Sequence, residues 1–320
     1  MKGLTDIVGI RVGHVSNFDA WTGCTAILFD GGAVGGVDIR GSATGTEEID
    51  VLSPGHVTDR VDAIVLAGGS AFGLEAASGV RRYLEQHGAG FPTGYAKVPI
   101  VPCAILYDLG IGKADVRPTI QMGYDAAAGA TSTAVREGNV GAGTGATVGK
   151  LFGMQQAMKG GIGTFTTRLG SGVLVSALVA VNPLGEIRDP ATGKIIAGAR
   201  KSAGSDELID TEEAMKAGAS GGFGRRNTTL AVVATNAQLS KVGATKLAQA
   251  ASLGMARTIY PVNTTSDGDV TFAVSLGSAT ADINALGVAA AEAVAQSILR
   301  AVRMAETASG VPGLAGISRK

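Results

Sequence analysis

Asn227 and Thr228 stand where a basic, glycine-rich stretch, GGFGRR at residues 221–226, gives way to an unbroken run of small and β-branched residues, TTLAVVATN. A threonine at the head of a strand carries an alcohol but has no base beside it in sequence. Cutting the Asn227–Thr228 peptide would supply one, because the new α-amine can take the proton of its own hydroxyl. Such an amine titrates near ~7.7–8, so a neutral fraction exists at physiological pH without a histidine. The same residues also read as the threonine-rich beginning of a buried strand, and the junction alone does not separate the two readings.

Other chemistry is poorly represented. Ser70 in GGSAFG is not a G-x-S-x-G elbow, because the second glycine comes one residue late. The stretch GNVGAGTGATVGK, residues 138–150, ends in Gly-Lys, yet a phosphate-binding P-loop needs Gly at Thr144 and Ser or Thr at Leu151. Gly141-x-Gly143 follows no clear strand and has no suitable acidic residue about 20 positions on. A loop that brings backbone close to a pocket is the better reading of those glycines. His14, His56 and His87 are far apart and lack metal-ligand spacing, so no metal is expected. Nor does any motif call for a cofactor.

The chain has 320 residues, 45% of them hydrophobic but only 4% aromatic, with 49 glycines. That length can bury a sizeable core, as one large domain or two closely merged ones, and the composition describes closely approaching backbones. Lys plus Arg and Asp plus Glu are 27 each, so the net charge is zero and the basic footprint of a nucleic-acid binder is lacking. Cys24 and Cys103 lie in apolar surroundings and read as buried thiols, not as a disulfide framework. The N-terminus has no continuous apolar stretch and no run of 18 apolar residues occurs, so no membrane span is expected and the cytoplasm is the expected compartment.

The elements that must position Thr228 follow from the pattern. Strands are expected over residues 4–15, 24–29, 62–66 and 172–182, at PIVPCAILYDLG ending in Tyr107-Asp108, and over 228–235 and 270–276. Helices are expected over about 72–86, with Ser70 as its cap and Gly88 just past its end, 240–258 and 282–305. The glycine turn before the first helix has the shape of an anion site, though close packing explains it as well. Residues 184–226 are polar and short of core residues, which reads as a long surface connection ending at the proposed cut. Residues 310–320 read as a loose tail. Strands and helices mix without a strict βαβ repeat, which suits a layered α/β sandwich.

Taken in order, GIRVGH at residues 9–14, GGSAFGLEAASGV at 68–80, Asn182-Pro183, NTT at 227–229 and DGD at 267–269 resemble the DmpA-like self-processing amidohydrolases. That family includes L-aminopeptidase/D-esterases, β-peptidyl aminopeptidases and nylon-oligomer endohydrolases, and the resemblance runs from about residue 4 to 305. Thr with DGD is most similar to the nylon-oligomer branch, since aminopeptidase members typically carry Ser at the nucleophile. Ornithine acetyltransferases share a related fold, but their junction motif is missing here.

The resemblance implies a four-layer α/β/β/α sandwich of the DmpA/ornithine acetyltransferase type, assembling as tetramers of αβ units or larger. It implies self-cleavage between Asn227 and Thr228 into an α chain 1–227 and a β chain 228–320. Thr228 matches the nucleophile, Asn182 the amide that stabilises the oxyanion, Tyr107 a tyrosine lining the site, and Lys150 a lysine near the nucleophile. Asp267 and Asp269 match an acidic pair that orients the threonine amine. The implied activity is hydrolysis of a small peptide or amide through an acyl-threonine. Two rivals stand beside it: transfer of the same acyl group to an amine, and an unprocessed binding or scaffold protein.

Overall fold

The computed structural model describes residues 1–170, 172–220 and 227–316. Its main strands are β1 (Ile10–Asn17), β2 (Thr22–Ile39), β3 (Arg60–Ala67), β4 (Cys103–Ile105), β5 (Gly161–Arg168), β6 (Leu174–Asn182), β7 (Thr228–Ala237) and β8 (Val270–Ala279). The helices that cover them are α1 (Glu75–Gln86), α2 (Ile120–Ala128), α3 (Lys241–Ala251) and α4 (Ile283–Arg303).

Strand β2 organises the rest. Its 18 residues would reach roughly 60 Å if straight, too far for one flat sheet. Gly31 and Gly32, both at φ +77°, bend it. Before the bend it pairs antiparallel with β1 and β3, the latter pairing resuming at Ala33 and Val34 just past the bend, and β3 continues to β4 in parallel. Beyond the bend it pairs antiparallel with β8, and the sheet runs on through β7, β6 and β5. One hydrogen-bonded array is thereby folded into two facing sheets.

Side-chain alternation then builds the layers. Val175, Ala177, Val179 and Val181 of β6, with Ala231 and Val233 of β7, pack on Leu247 and Ala248 of α3 and on Leu286, Ala290 and Ala293 of α4. The opposite parity, Leu178, Ala180, Leu230 and Val232, packs between the sheets with Ile27, Phe29, Ile64 and Leu66. Cys24, Ala26, Ala63 and Val65 face α1 and α2 on the far side. The result is the four-layer α/β/β/α sandwich. Asn182 and Thr228 share parity with Ala180 and Leu230, so both side chains turn inward at one end of the gap between the sheets.

Small residues permit this spacing. A Cβ at Gly163 of β5 would lie 2.0 Å from the Ser297 carbonyl of α4, and one at Gly36 of β2 would lie 2.3 Å from the Thr245 nitrogen of α3. Helix α4 is long and apolar enough to cross a membrane, but 72% of its most apolar window is buried inside the fold, as a core helix requires.

Several local expectations are corrected. The first strand starts at Ile10, after a 3-10 turn at Gly3–Asp6. Ser70 does not cap α1; it sits at φ +55° within a 3-10 turn, Ser70–Leu74, that feeds the helix. Helix α2 was not foreseen, and the stretch expected to be one helix over 240–258 breaks at Ser252 into α3 and a short turn, Leu253–Ala256. Residues 184–220 are no loose surface connection. They contribute strands Glu186–Arg188 and Ile195–Ala197, joined by Ile259–Tyr260 into a small sheet, and the helix Thr211–Lys216. Glu186, fully buried, anchors them by bonding Arg188 and the Thr211 amide. The segment 310–316 is also packed, with the Pro312 carbonyl accepting from Lys159 N at 2.8 Å. The GGFGRR stretch, residues 221–226, lies outside the described residues.

Candidate active site

The antiparallel register of β6 and β7 sets Asn182 directly opposite Thr228. Asn227, just before the strand, continues the parallel pairing toward residues 266–268: its N–H donates to Ser266 O at 2.9 Å, and its carbonyl accepts from Gly268 N at 2.8 Å. The Thr228 hydroxyl donates to that same Asn227 carbonyl oxygen at 2.5 Å. The carbonyl of the 227–228 peptide is thus held between a backbone N–H and the side chain that would attack it. Position 268 has little room for a side chain: a Cβ there would lie 2.6 Å from Ala43 O and 2.9 Å from Thr228 Oγ1, and one of them would have to shift.

A cavity of about 220 Å³ opens beside this junction, lined by Tyr107, Ile111, Gly145, Thr147, Lys150, Met154 and Asn227 among others. Asn227 lines it; Thr228, 2% exposed, is buried. In the continuous chain the nucleophile candidate is covered.

Asn182 is fixed by its neighbours. Its Oδ1 accepts from Lys150 Nζ at 2.7 Å and from Thr147 N at 2.9 Å, while Nδ2 donates to Tyr107 O at 3.0 Å. An ammonium and an N–H can only donate, so the amide has one permitted orientation and keeps its second Nδ2 hydrogen. Lys150 Nζ also donates to Asn182 O at 2.8 Å. Burial lowers the Lys150 pKa to about 7, with Asp267 the main opposing influence.

Asp267 and Asp269 are both buried. Asp269 accepts from Thr229 N at 2.6 Å and from Asn263 N at 3.1 Å; Asp267 accepts from Leu184 N at 3.2 Å and Thr264 N at 3.1 Å. The pair therefore straps the start of β7 to the 263–264 turn and to residue 184. Burial raises both carboxyl pKa values, and for Asp269 the adjacent Asp267 charge adds to the rise.

All the residues singled out from the sequence, Tyr107, Lys150, Asn182, Asn227, Thr228, Asp267 and Asp269, thus gather at one end of the inter-sheet gap. Tyr107 lines the cavity and supplies its main-chain carbonyl to Asn182. Three neighbours escaped sequence reasoning. Thr147 supplies the N–H that holds Asn182. Lys159, fully buried, donates to Thr144 O and Ala146 O. Asp108 accepts from Gly69 N at 2.6 Å and Thr22 Oγ1 at 2.7 Å, and burial raises its pKa to about 6. That carboxylate takes up the Gly69 donor of the glycine turn before α1. The one available signal was a charged residue inside an apolar run, Lys159 in AMKGGIG. Cys24 and Cys103 are buried free thiols, and burial pushes the Cys24 thiol up to about 12.

Comparison with known proteins identifies the family and the fold. The model of peptidase family S58 matches residues 2–315. An uncharacterized aminopeptidase of Mycobacterium leprae is 40% identical over 352 residues, covering 99% of this chain and 94% of that protein. A 6-aminohexanoate-oligomer endohydrolase of Kocuria sp. is 32% identical over 314 residues, covering 93% of this chain and 85% of the other. Among solved structures, a Burkholderia sp. β-aminopeptidase superposes with a TM-score of 0.68 at 25% identity, covering 98% of this chain and 91% of that one. The L-aminopeptidase D-Ala-esterase/amidase of Ochrobactrum anthropi, a variant of the Ntn-hydrolase fold, shares the fold with a TM-score of 0.71 at 19% identity, covering 95% and 86%.

Proposed function

The chain belongs to peptidase family S58 and is a hydrolase of amide bonds, and on that premise we propose that it cleaves itself before Thr228 and then uses Thr228 as an N-terminal nucleophile. The supporting observation is the pairing of Thr228 Oγ1 and Gly268 N on the Asn227 carbonyl oxygen, at 2.5 and 2.8 Å. In processing, Oγ1 attacks the Asn227 carbonyl carbon, the C–N bond breaks, and the hydroxyl proton passes to the departing Thr228 nitrogen. Water then hydrolyses the ester, leaving a carboxylate on Asn227 and a free amine on Thr228. The products are an α chain, 1–227, and a β chain, 228–320.

In turnover the freed amine takes the proton as Oγ1 attacks the substrate carbonyl. The remaining Nδ2 hydrogen of Asn182 stabilises the oxyanion, a contribution of about 3 kcal/mol for one such donor. Lys150, its pKa lowered to about 7, holds Asn182 and carries a proton close to the reacting atoms. The amine product leaves with a proton, and water releases the acid from the acyl-threonine. Asp267 and Asp269 fix the backbone at the head of β7 and so the direction of the Thr228 amine.

The substrate class is a short peptide or amide oligomer whose acyl part fits the cavity beside Asn227. Relatives named for both aminopeptidase and amide-oligomer cleavage support that breadth; the Thr-plus-DGD pattern favours the second. Homo-oligomerisation, with tetramers or larger of αβ units, belongs to the same reading and is supported by Val242, Leu253 and Val288 exposed on the outer helical layer. Acyl transfer would replace water by an amine in the last step. Mass analysis of the 228–320 fragment during turnover tests the assignment: an acyl adduct on Thr228 is expected, and an adduct on another residue would refute it.

A further inference from the structure

The chain from Gly141 to Val148 crosses the floor of the site as a buried turn. Its start is tied to the first strands, with Gly141 N donating to Ser16 Oγ at 2.9 Å and Ala142 N to Thr25 Oγ1 at 3.1 Å. Its end carries Thr147, whose N–H sets Asn182 Oδ1. Between those points one side chain gathers the carbonyls: Lys159 Nζ donates to Thr144 O at 2.9 Å and Ala146 O at 2.7 Å. It reaches them because Lys159 pairs with Thr147 in a short ladder, and Gly160 N adds a bond to Ala146 O at 2.9 Å. Gly145, between the two carbonyls, lines the cavity and has no room for a side chain: a Cβ would lie 2.1 Å from Trp21 O.

We propose that Lys159 is a positioning residue for the reaction, clamping the 144–146 carbonyls so that Thr147 N–H holds the Asn182 amide in its oxyanion-facing orientation. The inference rests on the assignment of Asn182 given above. A methionine of similar length would fill this fully buried site without desolvating a charge, so what the cation adds is two charge-assisted hydrogen bonds at fixed points of the turn. Burial lowers the Lys159 pKa to about 7. A neutral amine still has a hydrogen for each carbonyl, so the clamp survives its titration.

The path runs through Asn182 and not through Gly268, and this separates turnover from self-cleavage. In Lys159→Met, kcat on alanine p-nitroanilide is expected to fall by about 10–100-fold with KM little changed, while self-cleavage stays near the wild-type rate. Adding Lys159→Met to Asn182→Ala is expected to cost almost nothing further, because residues acting through one another are non-additive. Hydrogen exchange at the Thr147 amide is expected to speed up. An unchanged kcat in the folded variant, equal losses of processing and turnover, or independent losses in the double variant would each overturn the proposal. Should Lys159→Met not accumulate, Lys159→Leu, which also lacks a donor, carries the same measurements. A wild-type protein that cuts itself yet leaves the anilide intact would count against the amide reading; the Thr147 exchange rate then decides the clamp by itself.

Discussion

Asn182 and Thr228 are directly opposed residues of one antiparallel strand pair, both turned into the gap between the two sheets. The register of β6 and β7 therefore sets the distance between the amide and the nucleophile, and every hydrophobic contact along those strands defends it. A slip of either strand by one residue would turn that strand's side chain to the helical face and part the pair.

Asn182→Ala is expected to lower kcat by about 10²–10³ with a smaller change in KM, because the lost donor acts on charge that develops in the transition state. Steady-state kinetics on a correctly folded variant checks this. An unchanged kcat would reduce Asn182 to a structural residue.

Gly268→Ala is expected to impair self-cleavage more than folding. Its Cβ would press on Ala43 O and Thr228 Oγ1, moving both the hydroxyl and the N–H that holds the Asn227 carbonyl. The fraction cleaved over time, measured beside the melting temperature, reads the two effects separately. Wild-type processing in Gly268→Ala would remove that N–H from the mechanism.

Both oxygens of Asp269 accept from backbone N–H groups, so Asp269→Asn must turn an NH2 toward one of them. A loss of about 1–3 kcal/mol is expected, typical of an unsatisfied buried group, together with slower processing. Full stability and activity would take this carboxylate out of the account. Because the pair is occupied by backbone donors, it is not expected to recognise a substrate ammonium. Free and N-acetylated versions of one short amide are then cut at comparable rates, and strict dependence on the free amine would contradict that.

Stability should respond to pH through the two buried lysines. Their folded pKa values lie near 7, below the ordinary 10.5, so between those limits the unfolded chain binds more protons and stability rises with pH. Asp108, raised to about 6 from 3.8, acts oppositely: the folded state binds the extra proton, and stability falls from about pH 4 to 6. Melting temperatures across pH 4–9 are expected to pass through a minimum near 6–7, and the alkaline rise should shrink in Lys159→Met. A monotonic fall above pH 7 would contradict the lysine assignments.

How much of this was legible in the sequence depends on what each signal encodes. Thr228 stood out because it heads a strongly apolar strand behind a basic, glycine-rich stretch, whereas Asn182 reads by itself as a strand end and was singled out by the family resemblance. Strand β2 was underestimated: it was expected to span only residues 24–29, whereas Gly31-Gly32 bends one continuous strand, Thr22–Ile39. Helix α2 escaped because IQMGYDAAA is short and carries a glycine, which packs against the Ala76 carbonyl of α1. The 184–220 segment looked polar because its anchor is Glu186, a buried charge satisfied by tertiary partners. Lys159 showed only as a charge inside an apolar run; its partners, main-chain carbonyls 13 and 15 residues away, leave no mark on the local sequence.

The central claim is that Thr228 makes its own amine. Intact-mass measurement of the purified protein, beside Thr228→Ala and Thr228→Ser, tests it most directly. The account predicts two fragments, 1–227 and 228–320, from the wild type, partial cleavage in Thr228→Ser, and an uncut, inactive Thr228→Ala. A wild-type protein that stays full length and still hydrolyses amides would contradict it.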